Sequence, residues 1–171
     1  AGTTTVGWWN VTFDSTTLPD GRYNLSVNAT DSAATPNTAI SANVSIIIDN
    51  TAANVTAVVP LNYTIQNGTI LINASVNDSL SGVFNATFRL SNNTHNATGW
   101  IFATRGTGNI AQGSWNATFD TTTLRDATYN ITINATDFAG TQLIINMSQI
   151  EIDNLPNATI IRPSNGNINI S

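Results

Sequence analysis

The commonest reactive pattern in this chain is an asparagine amide two positions ahead of a hydroxyl side chain. Asn-x-Ser/Thr, with x other than proline, is the acceptor triplet for N-linked glycans. Of 25 asparagines, 18 open such a triplet: Asn10, Asn24, Asn28, Asn43, Asn54, Asn62, Asn67, Asn73, Asn77, Asn85, Asn92, Asn96, Asn116, Asn130, Asn134, Asn146, Asn157 and Asn169. With 40 serines and threonines in 171 residues, chance placement would give about six. Part of the surplus follows from strand alternation, since residues i and i+2 share a face. That does not explain the choice of asparagine, because exposed strand faces more often carry lysine and glutamate. The chain has no lysine and a single glutamate, Glu151. A glycan would do the same work sterically, as a bulky hydrated group on the outer face. N-linked glycans are therefore expected at many of these positions. Those on outward strand faces come first: Asn10, Asn24, Asn28, Asn73, Asn85, Asn116, Asn130 and Asn134. Asn24 and Asn28, like Asn130 and Asn134, lie four residues apart on one face, about 13 Å along a strand, which leaves room for two sugar stems.

Other chemistry is sparse. The single histidine, His95, sits in the loop-like "SNNTHNATG", and there is no cysteine. No Gly-x-Ser-x-Gly nucleophile elbow occurs, and a serine triad would have to recruit His95. The aspartates cluster at strand ends, where turns and solvent use them. No catalytic residue is assigned, and the chain is not expected to be an enzyme. A net charge of -5 with five scattered arginines excludes a nucleic-acid surface, which needs clustered cations. No apolar run reaches the roughly 18 residues of a membrane span. The absence of an opening Met or signal segment suggests a piece of a longer or processed product.

The elements that position these residues announce themselves by repetition. "WNVTFDSTTLPDGRYNLSVNATD" (9–31) aligns without a gap on "WNATFDTTTLRDATYNITINATD" (115–137). "IIIDNTAANVTAVVP" (46–60) parallels "IEIDNLPNATIIRP" (150–163). The period is about 104 residues. It divides the chain into the closing half of one unit (1–50), a complete unit (51–154) and the first strand or strands of a following unit (155–171). The end pieces are completed either by a longer tandem array or by strand addition from a neighbouring subunit.

Within the units, apolar and polar residues alternate with the period of half-buried strands. Tyr23, Leu25, Val27 and Ala29 share one face, as do Tyr129, Ile131, Ile133 and Ala135. Trp9, Val11 and Phe13 oppose Asn10, Thr12 and Asp14, so Trp9 and its counterpart Trp115 are expected in the core. Phe84, Ala86, Phe88 and Leu90 oppose Asn85, Thr87 and Arg89. About seven strands are predicted in the complete unit, near 54–59, 69–77, 83–91, 99–104, 114–120, 127–137 and 143–152. The fold class is all-β, a two-sheet sandwich. One stretch breaks parity: Ala42, Val44, Ile46 and Ile48 correspond to Asn146, Ser148, Ile150 and Ile152. A bulge near Ser148–Gln149, where the repeat offset also shifts, would restore the alternation.

The combination of "TFDSTTLPDGRYNLSVNATD" with "IIIDNTAANVTAVVP" resembles the tandem immunoglobulin-like repeats of prokaryotic, in particular archaeal, surface proteins. It is also similar to the fibronectin III and cadherin branches of the fold. The resemblance implies tyrosine corners at Tyr23 and Tyr129, each hydroxyl bonding back to the backbone. Ala127 stands where the first copy has Gly21, which bears on whether that turn is left-handed. By likeness to cadherin junctions, Asp31, Asp49, Asp137 and Asp153 become calcium candidates, calcium being a hard cation that takes six to eight oxygens. Beyond glycans and calcium no cofactor is implied. The expected role is a structural, heavily glycosylated protein at the cell surface, forming or belonging to an extracellular filament, sheath or stalk. Its expected partners are copies of itself. The alternatives are the repeat region of an adhesin and the spacer module of a secreted enzyme.

Overall fold

A computed structural model describes residues 9–154. The expectation for 155–171, with Asn157 and Asn169, lies outside the described residues. The first copy of the repeat contributes β1 (Gly21–Leu25), β2 (Asn28–Thr30), β3 (Thr38–Ile40) and β4 (Val44–Ile48). The complete unit contributes β5 (Asn54–Val59), β6 (Thr64–Gln66), β7 (Thr69–Asn77), β8 (Val83–Ser91) and β9 (Ile101–Phe102). It continues with β10 (Thr104–Gly108), β11 (Gln112–Asp120), β12 (Ala127–Asp137) and β13 (Gln142–Ile152).

In the complete unit the alternating strands assemble into two sheets. One has the order β10-β11-β7-β5 and the other β6-β13-β12-β8-β9. All pairings are antiparallel except β13 with β6. The chain passes from the first sheet to the second between β5 and β6, through a cis Val59–Pro60 peptide. It turns back at "QNG", where Gly68 takes φ 60°, a conformation open to glycine at little cost. Ile72, Ala74 and Val76 on β7 face Phe88 and Leu90 on β8 and Ile133 on β12, all buried in one core. The middle of the outer face of the four-stranded sheet is a field of short neutral side chains, Asn73, Ser75 and Asn77 beside Ser114, Asn116 and Thr118, bordered on the same face by exposed Leu71 and Val59. This is an immunoglobulin-like β-sandwich.

Three differences from the predicted pattern are informative. Phe84 was expected inward but is exposed, because the β12–β8 register slips between Thr136 and Asp137 and leaves Phe84 as the unpaired residue. Val83 fills the core position, and Phe84 packs edge-on against Phe138, with ring centroids 5.4 Å apart. The bulge on β13 falls at Met147: Ile131 pairs with Ser148 and Thr132 with Asn146. Parity switches there, so Leu143, Ile145 and Met147 face the core before it and Ser148, Ile150 and Ile152 after it. The first copy has the same slip, since Leu25 pairs with Val44 and Asn28 with Ile40. Two residues there, Ser26 and Val27, face three, Ser41 to Asn43. The shift in repeat offset lies elsewhere, in the hairpin loop, which runs 32–36 in the first copy and 138–140 in the second.

The third difference is the segment 9–14. Its counterpart in the second copy is part of β11, but here it forms no strand. Trp9 is 95% exposed, whereas Trp115 is 6% exposed. Trp115 lies in a strand paired on both sides, by β10 and β7. Among the described residues, Trp9 has no such partners, so the core placement expected for it is not met.

Candidate functional site

Two sets of polar residues stand out: the sequon asparagines and a group of carboxylates at one end of the sandwich. None of the sixteen sequon asparagines within 9–154 is buried. Asn10, Asn24, Asn28, Asn43, Asn54, Asn62, Asn67, Asn96 and Asn146 are exposed. Asn73, Asn77, Asn85, Asn92, Asn116, Asn130 and Asn134 are half-buried. The half-buried set includes most of the strand-face positions singled out from alternation. Asn73 and Asn116 face each other in register, and their amides hydrogen-bond together. Oδ1 of Asn130 accepts from Gln149 Nε2 at 3.3 Å. Oδ1 of Asn134, on the central strand β12, is buried without a partner. Strand faces thus aim these side chains outward, yet neighbouring strands crowd them. The turns and short strands leave them freer.

Local motifs recur in both copies. Tyr23 donates its hydroxyl to the Pro19 carbonyl at 2.7 Å, and Tyr129 donates to that of Arg125 at 3.0 Å. Each bond reaches back four residues. Gly21 and Ala127 both begin strands, Gly21 is not among the positive-φ glycines, and a Cβ there would meet Tyr23 at an ordinary 3.7 Å. Glycine and alanine are therefore equivalent at this corner. Asp14 and Asp120 each cap a 3-10 turn, accepting from the hydroxyl and N–H of Thr16 or Thr122. Those hydroxyls first, then the N–H groups, hold both carboxyls below the usual aspartate range. Asn50 donates its N–H to Asp20 at 2.7 Å, and Asn154 donates to Asp126 at 3.0 Å. The "IDN" triplets thus latch the end of each last strand onto the turn that opens the tyrosine corner.

The aspartates proposed by likeness to cadherins part company. Asp31 is exposed and closes the β2–β3 hairpin, accepting from Asn37 Nδ2 and from the N–H groups of Asn37 and Ala33. The Asn37 amide is the main cause of its lowered pKa. Asp153 is exposed and bonds through its backbone to Gln66. Asp49 and Asp137 instead converge with Asp78, and one carboxylate oxygen from each lies within 4.8 Å of the others. All three residues are buried.

Each arm of this triad comes from a different element. Asp49 follows β4, Asp78 follows β7 and Asp137 ends β12. Asp78 Oδ1 accepts N–H groups from Leu80, Ser81 and Gly82 at 2.9, 3.1 and 3.0 Å. Gly82 takes φ 91°, and a Cβ on it would press against the Ile110 carbonyl oxygen at 3.1 Å, so this loop requires glycine. Asp49 Oδ2 accepts from Ser81 N–H at 3.0 Å, and Asp137 Oδ1 accepts from Thr141 N–H at 2.8 Å. Asp137 Oδ2 and Ser81 Oγ are buried with no hydrogen-bond partner. Repetition could not flag Asp78, because its segment "VNDSLSG" has no counterpart in the first copy. The usable signal was an aspartate directly ahead of a Ser/Gly turn, the setting in which a carboxylate collects backbone N–H groups. An open cleft of about 440 Å³ reaches Asp49 and Asp78 and is lined also by Asp20, Thr51 and Asn77, with no cationic residue.

The sandwich with its tyrosine corners defines an immunoglobulin-like module. More particularly, the chain belongs to the family described as bacterial Ig-like domain (group 3), which matches residues 7–94, just over half of it. That match starts in the first copy and ends just past β8. In overall shape the chain is similar to the endo-beta-1,4-mannanase from Thermotoga petrophila, with TM-score 0.47 and 12% identity. The likeness covers 63% of this chain and 21% of that one, about a fifth of the enzyme's length. It is also similar to CopC from Methylosinus trichosporium OB3b, with TM-score 0.41, 10% identity and coverage of 63% and 99%. No curated protein matches the sequence. Among the described residues no helix is long and apolar enough to cross a membrane.

Proposed function

We propose that this chain is a structural, N-glycosylated segment of an extracellular filament, sheath or stalk, built from Ig-like units in series at an archaeal cell surface. The observation that carries the reading is the solvent access of all sixteen sequon asparagines between residues 9 and 154. That access adds to the excess of triplets, which 18 of the 25 asparagines open. On this reading the module bears load rather than doing chemistry. His95 lies exposed on the loop after β8, its ring nitrogen 2.8 Å from the Thr94 hydroxyl. Copies of the same chain are the proposed partners. Val11, Val27, Ile40 and Val44 of the first copy are exposed, and strands supplied from the same array or a neighbouring subunit would cover them.

Intact-mass measurement on protein from its native source, before and after deglycosylation, tests the modification. Many stepwise losses are expected, heaviest at Asn24, Asn28, Asn43, Asn54 and Asn146. A single bare polypeptide mass would overturn it. Electron microscopy of native material tests the assembly. The longest strands have eleven residues, about 37 Å, so an axial repeat near that length per sandwich is expected. A second reading, the repeat region of an adhesin, draws support from the outer face of the five-stranded sheet. There Arg89 stacks on Trp100, 4.5 Å from the ring centroid, and Phe102 is exposed near them.

A further inference from the structure

We propose that Asp49, Asp78 and Asp137 form a divalent-cation site that fastens the end of one unit to the sandwich of the next. The geometry suits one shared ion. Calcium binds oxygens at about 2.3–2.6 Å, so ligands on opposite sides of one ion lie about 4.6–5.2 Å apart. One oxygen from each of the three carboxylates falls within 4.8 Å of the others. Three like charges at such spacing repel, and burial weakens the water that would screen them. Among the described residues the adjoining cleft offers no cation of the chain's own.

The orphaned groups point the same way. Asp137 is 1% exposed, and its Oδ2 has no partner. A buried carboxylate oxygen left unbonded is costly, and a cation shared with Asp49 and Asp78 would satisfy it. Ser81 Oγ, also buried and unpartnered, belongs to the residue whose N–H already bonds both Asp49 and Asp78. The hydrogen bonds to Asp78 all fall on Oδ1, leaving its second oxygen for the ion. Waters entering by the open cleft would complete a coordination shell of six to eight.

The site also explains why aspartates recur in the repeat without forming two identical clusters. Asp49 and Asp153 are equivalent, as are Asp31 and Asp137, yet only Asp49 and Asp137 are buried. Each junction uses the last-strand aspartate of one unit and two aspartates of the unit after it. Asp153 is therefore the first ligand of the next site, and Asp31 the last ligand of the one before. This part rests on the serial arrangement proposed above. The ion at Asp49, Asp78 and Asp137 does not, and it can be tested alone.

The test is calorimetric titration of the whole chain with calcium chloride after chelation, with thermal melts alongside. One strong site per chain is expected. The melting temperature should rise by about 5 °C or more at about a hundredfold excess over Kd. Asp78→Asn and Asp137→Asn should lose that rise, while Asp153→Asn should keep it. Because the amide removes repulsion, Asp78→Asn without calcium should melt no lower than the chelated parent, which separates lost binding from misfolding. An unchanged melt in the parent, or a calcium response that survives Asp78→Asn, would overturn the site. Glycan occupancy bears on neither outcome.

Discussion

The two copies of the repeat share 23 aligned positions, from 9–31 and 115–137, and end in different states. In the second, β11 and β12 lie inside a sandwich, with Trp115, Ile131 and Ile133 buried. In the first, Trp9, Leu25 and Val27 are exposed. The short-range geometry is nonetheless the same, in the capped turn at Asp14 or Asp120 and in the tyrosine corner, and so is the longer Asp–Asn latch. Even the register slip is common to both. What differs is the supply of partner strands: β11 and β12 are each paired on both sides, whereas among the described residues β1 to β4 pair only with one another. Side chain-to-backbone bonds spanning a few residues are written into the phrase itself. Burial is conferred by strands distant in sequence.

The sharpest way to break this comparison is to truncate the paired tryptophans. Trp115→Ala should cost about 3–5 kcal/mol, read as a fall in the denaturant midpoint, while Trp9→Ala should stay within about 0.5 kcal/mol. Similar losses from both would mean that the first copy is covered in solution by a second chain. A smaller contrast is expected at the corners. Tyr129→Phe removes a bond from a buried hydroxyl and should cost about 1 kcal/mol, and Tyr23→Phe should cost less. The smallest effect sharpens the comparison from the opposite side. Asp14 and Asp120 have the same bonding partners, so both should titrate below the ordinary aspartate value when followed by NMR. Their folded pKa values are depressed, so the stabilisation they bring is complete above the unfolded value of about 3.9 and drains away as pH falls through the folded one. Thr16→Val and Thr122→Val should raise the two values alike. A response in one copy only would show that burial reaches even these turns.

Strand positions were legible because alternation over six to eleven residues is a strong signal. β5, β7, β8 and β12 fall where the pattern places them. β6 was missed, since three residues flanked by turns carry no period. Phe84 marks where pattern reading fails, because a bulge moves one residue across the sheet and an apolar residue fits either face. The bulge on β13 was legible from its broken parity and lies at Met147, beside the expected Ser148–Gln149. In the first copy the run Val44 to Ile48 is almost wholly apolar, so its slip left no trace in the sequence. The aspartates were legible as a type and not as a grouping. Likeness named Asp31, Asp49, Asp137 and Asp153 without grouping them, and Asp49 meets Asp137 across about ninety residues of sequence. Asp78 belongs to a segment present once, where repetition has nothing to compare.

The neutral field on the outer sheet face has a consequence for the medium such a surface can tolerate. Amides and hydroxyls keep the same form from strong acid to mild alkali, and added electrolyte has few fixed charges there to mask. Wetting of that face is therefore indifferent to acidity and brine. That patch would hold its water layer in acid and in concentrated salt alike.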